Sequence, residues 1–266
     1  MKKLLLFTIL SLITFQVFAQ KNKSFKKPLT ITNSKFYTKK WRFLKPVLEN
    51  KRVVALGESL HGVKEYNESK LEIIKYLHEE MDFNVLAIES DWIMNYYGNL
   101  YRNQVEDTLL LKEMFTPVWH TETHLELVRY LQTHPKLKII GFDVTRDITD
   151  IESLTESLKT LGIDDNPNID VLKKQYSKII ELYKNEKHFS AIENTNRDSI
   201  MAMNLEWIID ELYPNEKVII SAANAHIQKV QDNPFLYMGK LLHQKYQNDY
   251  YSIGFFHALG NPVHIY

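Results

Sequence analysis

The chain has 266 residues, with 33 Lys and Arg against 33 Asp and Glu, and no Cys. A net charge of zero argues against nucleic acid as partner, because neutralising phosphates needs a basic surplus. The absence of Cys excludes a disulfide scaffold, so a large apolar core must supply the stability, and the length suffices for one.

The chain begins with a short basic start, Met1-Lys2-Lys3, followed by an apolar run from Leu4 to Val17. Val17-Phe18-Ala19 offers small residues at the −3 and −1 positions, so residues 1–19 read as a signal peptide cleaved before Gln20. The run is short for a membrane span, which needs about 20 residues. The expectation is an exported protein, periplasmic or secreted, with no stable span after cleavage. Residues 20–45 read as a basic leader and residues 46–266 as a single domain.

Within that domain five short apolar runs read as strands: Val53–Leu56, Val85–Ile88, Lys138–Phe142, Val218–Ala222 and Tyr250–Phe256. Each is nearly continuous in apolar character, as expected of strands covered on both faces. Helical spacing falls between them, over 63–80, 122–133, 168–187, 194–212 and 235–246. Alternation of this kind predicts an α/β fold with a mainly parallel central sheet flanked by helices. Asp164 to Lys187 is expected to form a small helical insertion.

Ligands in open parallel sheets sit beyond the carboxyl ends of the strands. Glu58 and His61 follow the first run, Glu89 and Asp91 the second, and Asp143 the third. Asn224 and His226 follow the fourth, and His257 the fifth. Two Glu and two His delivered to one edge point to a catalytic or metal site. The stretch Gly57-Glu58-Ser59-Leu60-His61-Gly62 is neither a nucleophile elbow nor a phosphate loop. Its glycines are expected to let the backbone bend and approach a ligand closely, with Ser59 a turn residue.

Two cations lie on apolar helix stripes. Lys70 shares one with Tyr66 and Ile74, and either snorkels outward or points back toward His61. Arg197 shares a face with Met201, Asn204, Leu205 and Ile208. His120 and His124 sit near Trp119 and are candidates with it to line a pocket, with Thr121 a helix start. Four further histidines, His78, His134, His188 and His243, read as solvated.

Several blocks resemble the erythromycin esterase family. Gly57 to Gly62 and Glu89 in "LAIESDW" look like its first two motifs. "PVWHTETHLELVRYL" with "IIGFDV" is similar to its third, and "NRDSIMAMNLEWI" and "SAANAHIQK" to its last two. The resemblance covers about residues 50–257 and extends to haem-binding lipoproteins of the same core. It implies that Glu58, His61, Glu89 and His226 are active-site residues and that His61 is the general base for a water molecule. The expected activity is cleavage of a small-molecule ester or lactone, with Lys70, Arg197, Asp143, Trp119 and His257 contacting substrate.

Two departures weigh against a macrolide as substrate. The family usually carries Arg where this chain has Lys70, and its macrolide-active members carry a larger helical subdomain. On this reading Lys70→Met costs activity far more than stability. No cofactor is required, although Glu58, His61, Glu89 and His226 would also suit a divalent metal. A different class of protein, an exported haem- or metal-binding protein without turnover, would need Tyr96, Tyr97 or His257 as a haem ligand.

Overall fold

The computed structural model describes residues 37–143, 191–229 and 236–256, with the single residues Glu152, Lys173 and Ser177. The expected signal peptide, most of the expected leader, all of the expected 168–187 helix except Lys173 and Ser177, and His257 therefore lie outside the described residues.

Two short helices, α1 (Tyr37–Trp41) and α2 (Lys45–Leu48), precede strand β1 (Val53–Glu58). Helix α3 (Lys64–Met81) leads to β2 (Phe83–Asp91), followed by α4 (Trp92–Tyr101), α5 (Asp107–Met114) and α6 (Glu122–Thr133). Then come β3 (Lys138–Asp143), α7 (Ala191–Trp207) and β4 (Lys217–Ala223). A one-turn helix α8 (Asn224–Ile227), then α9 (Met238–Tyr246) and β5 (Tyr250–Phe255), complete the described fold.

The five strands form one sheet in the order β3-β2-β4-β1-β5, and every pairing is parallel. The alternation of β1 explains the layers. Val54 and Leu56 join a cluster with Leu71, Ile74 and Leu77 of α3 and Leu127 and Leu131 of α6. Val53 and Ala55 join Met201 and Leu205 of α7 and Leu242 of α9 on the other face. All six residues of β1 are buried, as the continuous apolar run predicts. The edge strand β5 departs from that expectation, with exposure through its middle, because only one neighbour and partial cover reach it.

Strands run further than their apolar letters, so Glu58, Glu89 and Asp143 are strand residues rather than residues after strands. The 194–212 helix divides into α7 and a π-helical turn, Ile208–Leu212. Helices α4 and α5 were not anticipated. Among the described residues no helix is long and apolar enough to cross a membrane.

Two glycines act through the space they leave. Gly62 adopts φ +76, the left-handed conformation that opens the turn into α3. Gly57 does not supply a bend; it lies inside β1, and a Cβ there would stand 2.4 Å from Asn224 Oδ1 and 2.5 Å from Ile227 Cδ1. Its role is to let α8 pack directly on the strand. The β2–β3 register shifts between Ile88 and Asp91, across Glu89 and Ser90. Bulges of this kind re-aim side chains beside active sites, and this one falls on the acid of β2.

Candidate active site

Sheet order puts β4 between β2 and β1, so the carboxyl ends of three adjacent strands carry Glu89, Ala223 and Glu58. The sequence-predicted residues gather there as two charge clusters rather than one.

The first cluster is built by β1, the turn after it and α3. Glu58 is buried, and its Oε1 accepts a 3.0 Å hydrogen bond from His61 Nδ1, three residues on. Its Oε2 accepts from Lys70 Nζ, which also donates to the Ala222 carbonyl at 3.3 Å. Lys70 therefore points inward and toward the N-terminus of its helix, as side chains on a helix tilt. Its side chain is 6% exposed and that of Glu58 1%. His61 is 42% exposed in its side chain, and no described residue hydrogen-bonds its Nε2. Its imidazole is held above the ordinary histidine range, first by the hydrogen bond to Glu58 and against the opposing pull of burial. Glu89 adds to the rise and Lys70 reduces it. Glu58, not Glu89, is thus the group that fixes the His61 ring. The Trp119 ring packs edge-on to it with centroids 5.0 Å apart.

Ser59 takes no part in this relay. Its N–H donates to Phe255 O at 3.1 Å, tying the turn to β5, and its hydroxyl pairs with the Tyr66 hydroxyl at 3.2 Å.

The second cluster joins β2, β3, α7 and α8. Arg197 donates through Nε to Asp143 Oδ1 at 3.0 Å and through Nη2 to Asp143 Oδ2 at 2.6 Å. The same Nη2 donates to Glu89 Oε1 at 3.0 Å. Ala223 N–H donates to Glu89 Oε2 at 3.0 Å, so the carboxylate is held by a cation and by the end of β4. His226 donates from Nδ1 to Asp198 at 2.9 Å, and its Nε2 lies 3.3 Å from Glu89 Oε1. Arg197 Nη1 is also 3.2 Å from that Nε2. With the ring protonated its Nε2–H belongs to Glu89, and the guanidinium contact is not a hydrogen bond.

Burial works against ionisation of both partners here, but the pairing prevails. His226 is pushed up to about 9 by its hydrogen bonds and charge interactions with Asp198 and Glu89. Glu89 is held down to about 2, against its desolvation, by His226, Arg197 and the Ala223 N–H. Arg197 is raised, its desolvation outweighed by Asp143 and Glu89.

These shifts carry a prediction for stability against pH. The lowered Glu89 contributes stability that is present above 4.5 and lost as pH falls toward about 2. The raised His226 contributes stability that is present below 6.5 and lost as pH rises through about 9. Thermal unfolding of the wild type should therefore show its highest Tm between about pH 4.5 and 6.5. The alkaline loss should be roughly 2–3 kcal/mol, and His226→Gln should flatten that limb. An unchanged alkaline limb in the variant would assign the loss to other groups.

Asp198 was not among the expected site residues. It is 1% exposed, holds His226 Nδ1 and also accepts from Met238 N–H at 2.9 Å, anchoring the start of α9. The only sequence signal was its place beside Arg197. Asp143 accepts from the Arg197 guanidinium through both of its oxygens. His78, His134 and His243 are half-buried rather than solvated. His78 bonds the Phe83 carbonyl at 3.0 Å, and His134 stacks on Tyr130 with centroids 3.8 Å apart. Their helix ends pack against neighbouring elements, which a polar sequence context does not reveal.

The donor set does not fit a metal held by Glu58, His61, Glu89 and His226. One carboxylate faces an ammonium and the other a guanidinium, and the residues divide between two clusters. Among the described residues no three His, Asp or Glu converge as metal ligands would. For haem, the side chains of Tyr96 and Tyr97 and all of His257 lie outside the described residues.

A sequence profile described as Erythromycin esterase matches residues 78–194 and 180–262. The profile match begins beyond Glu58, His61 and Lys70, and takes in Glu89, Arg197 and His226. The chain is 28% identical to YbfO of Bacillus subtilis (strain 168), a protein named as a candidate hydrolase, over 76% of this chain and 62% of that one. It thus spans less than two thirds of that relative's length. A crystal structure of a Bacillus cereus protein superposes with a TM-score of 0.66 at 22% identity, covering 86% of this chain and 71% of that one. A mutant of erythromycin esterase EreC in its open conformation superposes at 0.57 with 17% identity, covering 85% and 76%. These likenesses establish the α/β fold. The profile spans most of the described domain, from the end of α3 through β5, and on that match the chain belongs to the erythromycin esterase family.

Proposed function

We propose that the protein hydrolyses an ester or lactone of a small molecule by direct attack of water, with His61 as general base. The observation that carries this is the relay Lys70–Glu58–His61, in which the His61 side chain is half-exposed and its Nε2 has no hydrogen-bond partner among the described residues. Glu58 fixes the proton on Nδ1, so the lone pair of Nε2 is available to a water molecule. As the water oxygen bonds to the carbonyl carbon, its proton passes to Nε2. The tetrahedral oxyanion collapses, the carbon–alkoxide bond breaks, and the departing oxygen takes the proton back from Nε2.

Among the described residues no carboxylate hydrogen-bonds Arg197 Nη1, and the Arg197 side chain is 24% exposed, so it is the cation suited to the developing oxyanion. Glu89, Asp143 and His226 hold that guanidinium in place. No step is assigned to a metal, since the carboxylates a cation would need already face Lys70 and Arg197.

Hydrolysis of an ester panel in metal-free buffer containing ¹⁸O-water tests the reading. The acid product should carry one ¹⁸O, no acyl-enzyme should accumulate, and Ser59→Ala should retain most of the activity. A trapped acyl-Ser59 with a dead Ser59→Ala variant would replace water attack with covalent catalysis.

A further inference from the structure

Beside the His61 relay a slot opens between α3, α6 and the carboxyl edge of the sheet. Its walls are mostly apolar, from Leu71, Ile74, Ile88, Phe115 and Leu127. Trp119, which packs on His61, forms the wall shared with the relay. Lys70, Glu89 and His124 supply charge-bearing or titratable groups.

We propose that this slot receives an uncharged, mainly apolar group of the substrate, and that His124 Nε2–H hydrogen-bonds a neutral oxygen carried on it. The inference rests on the esterase reading only in assigning that group to an ester; the character of the slot stands on its own geometry.

Each charge in the slot is already answered within the protein. Lys70 is spent on Glu58, and Glu89 on Arg197, His226 and the Ala223 N–H. A charged ligand group would therefore lose its water among apolar walls without gaining a counter-ion, which is costly. An uncharged apolar group loses nothing there.

His124 is arranged as a donor. The Thr121 hydroxyl oxygen accepts the His124 backbone N–H at 3.3 Å as the helix cap, and lies 2.8 Å from His124 Nδ1. Accepting the backbone N–H leaves the hydroxyl proton for Nδ1, and we assign it there, with the ring proton on Nε2. No described residue hydrogen-bonds that Nε2. Phe115 and Trp119 hold the ring, with centroids 5.4 and 5.1 Å away. Burial, with smaller contributions from Lys70 and His120, holds His124 down to about 3, so the ring stays neutral through the working range. A neutral ring with a fixed N–H discriminates in favour of a neutral acceptor over an anion.

The test uses the whole protein and a probe that cannot be hydrolysed as an ester, acetanilide, against its anionic analogue 4-acetamidobenzoate. Binding is followed by ¹⁵N–¹H spectra of the Trp119 indole and the His124 ring. Free protein at pH 6–8 should show His124 as the neutral Nε2–H tautomer. Acetanilide should shift both residues, with a dissociation constant at least tenfold below that of the anion. His124→Phe should weaken acetanilide binding about tenfold, and Thr123→Trp, at a partly exposed lining position, should abolish the Trp119 shift. Equal binding of both probes, no shift with acetanilide, or an Nδ1–H or protonated His124 would overturn the inference. A wild type that binds acetanilide in the slot but cleaves no ester would sink the esterase reading alone.

Discussion

His61→Gln should lower the rate of ester hydrolysis by ~10²–10⁴-fold, the usual worth of a general base, with the circular dichroism spectrum unchanged. The variant keeps a polar side chain at a half-exposed position, so little packing is lost. What disappears is the lone pair that Glu58 orients. The pH dependence adds a second readout. Only the neutral imidazole accepts a proton from water, and the Glu58 hydrogen bond holds that imidazole above 6.5. In the wild type kcat/KM should therefore rise with pH through a value above 6.5. Activity within tenfold of wild type in His61→Gln would remove His61 as the base.

Lys70→Met should destabilise the fold by about 3–5 kcal/mol, the cost of leaving one partner of a buried ion pair behind. Both side chains of the pair are almost fully enclosed, at 6% and 1% exposure. Enclosure of the pair gives a larger expected stability cost than the apolar helix stripe alone suggests. The stripe accepts Met, but Glu58 beneath it does not accept the loss of its cation. His61 offers partial relief by holding its proton longer. Lys70 lowers the His61 pKa, so its removal raises it. The rising limb of kcat/KM should thus move to higher pH in the variant. Lys70→Met combined with Glu58→Gln should recover much of the stability and none of the activity. Lys70→Arg keeps the charge and should retain most of both. Chemical denaturation decides the matter: a loss below about 1 kcal/mol in the single variant would mean that water, not Lys70, compensates Glu58.

Fold class was legible because strands covered on both faces must be apolar throughout. Val53–Leu56 and Val218–Ala222 announce themselves in that way, and the helical spacing between the runs fills in the layers. The first cluster was legible for a local reason. Glu58 and His61 sit three residues apart across one turn, and Lys70 sits on an apolar stripe where a cation needs a partner. Strand order was not legible. Nothing in the letters says that β4, more than 120 residues after β2, inserts between β2 and β1, because backbone hydrogen bonds carry no side-chain identity. That insertion brings the Ala223 N–H to Glu89 and divides the two Glu and two His between separate clusters. Asp198 was invisible for the same reason: its partners, His226 and Met238, lie 28 and 40 residues away, on elements whose packing alone makes them neighbours. The sequence by itself determined which residue types reach the sheet edge. Only the tertiary structure decided which carboxylate each cation neutralises, since that choice is made by distances of 3 Å between side chains far apart in the chain.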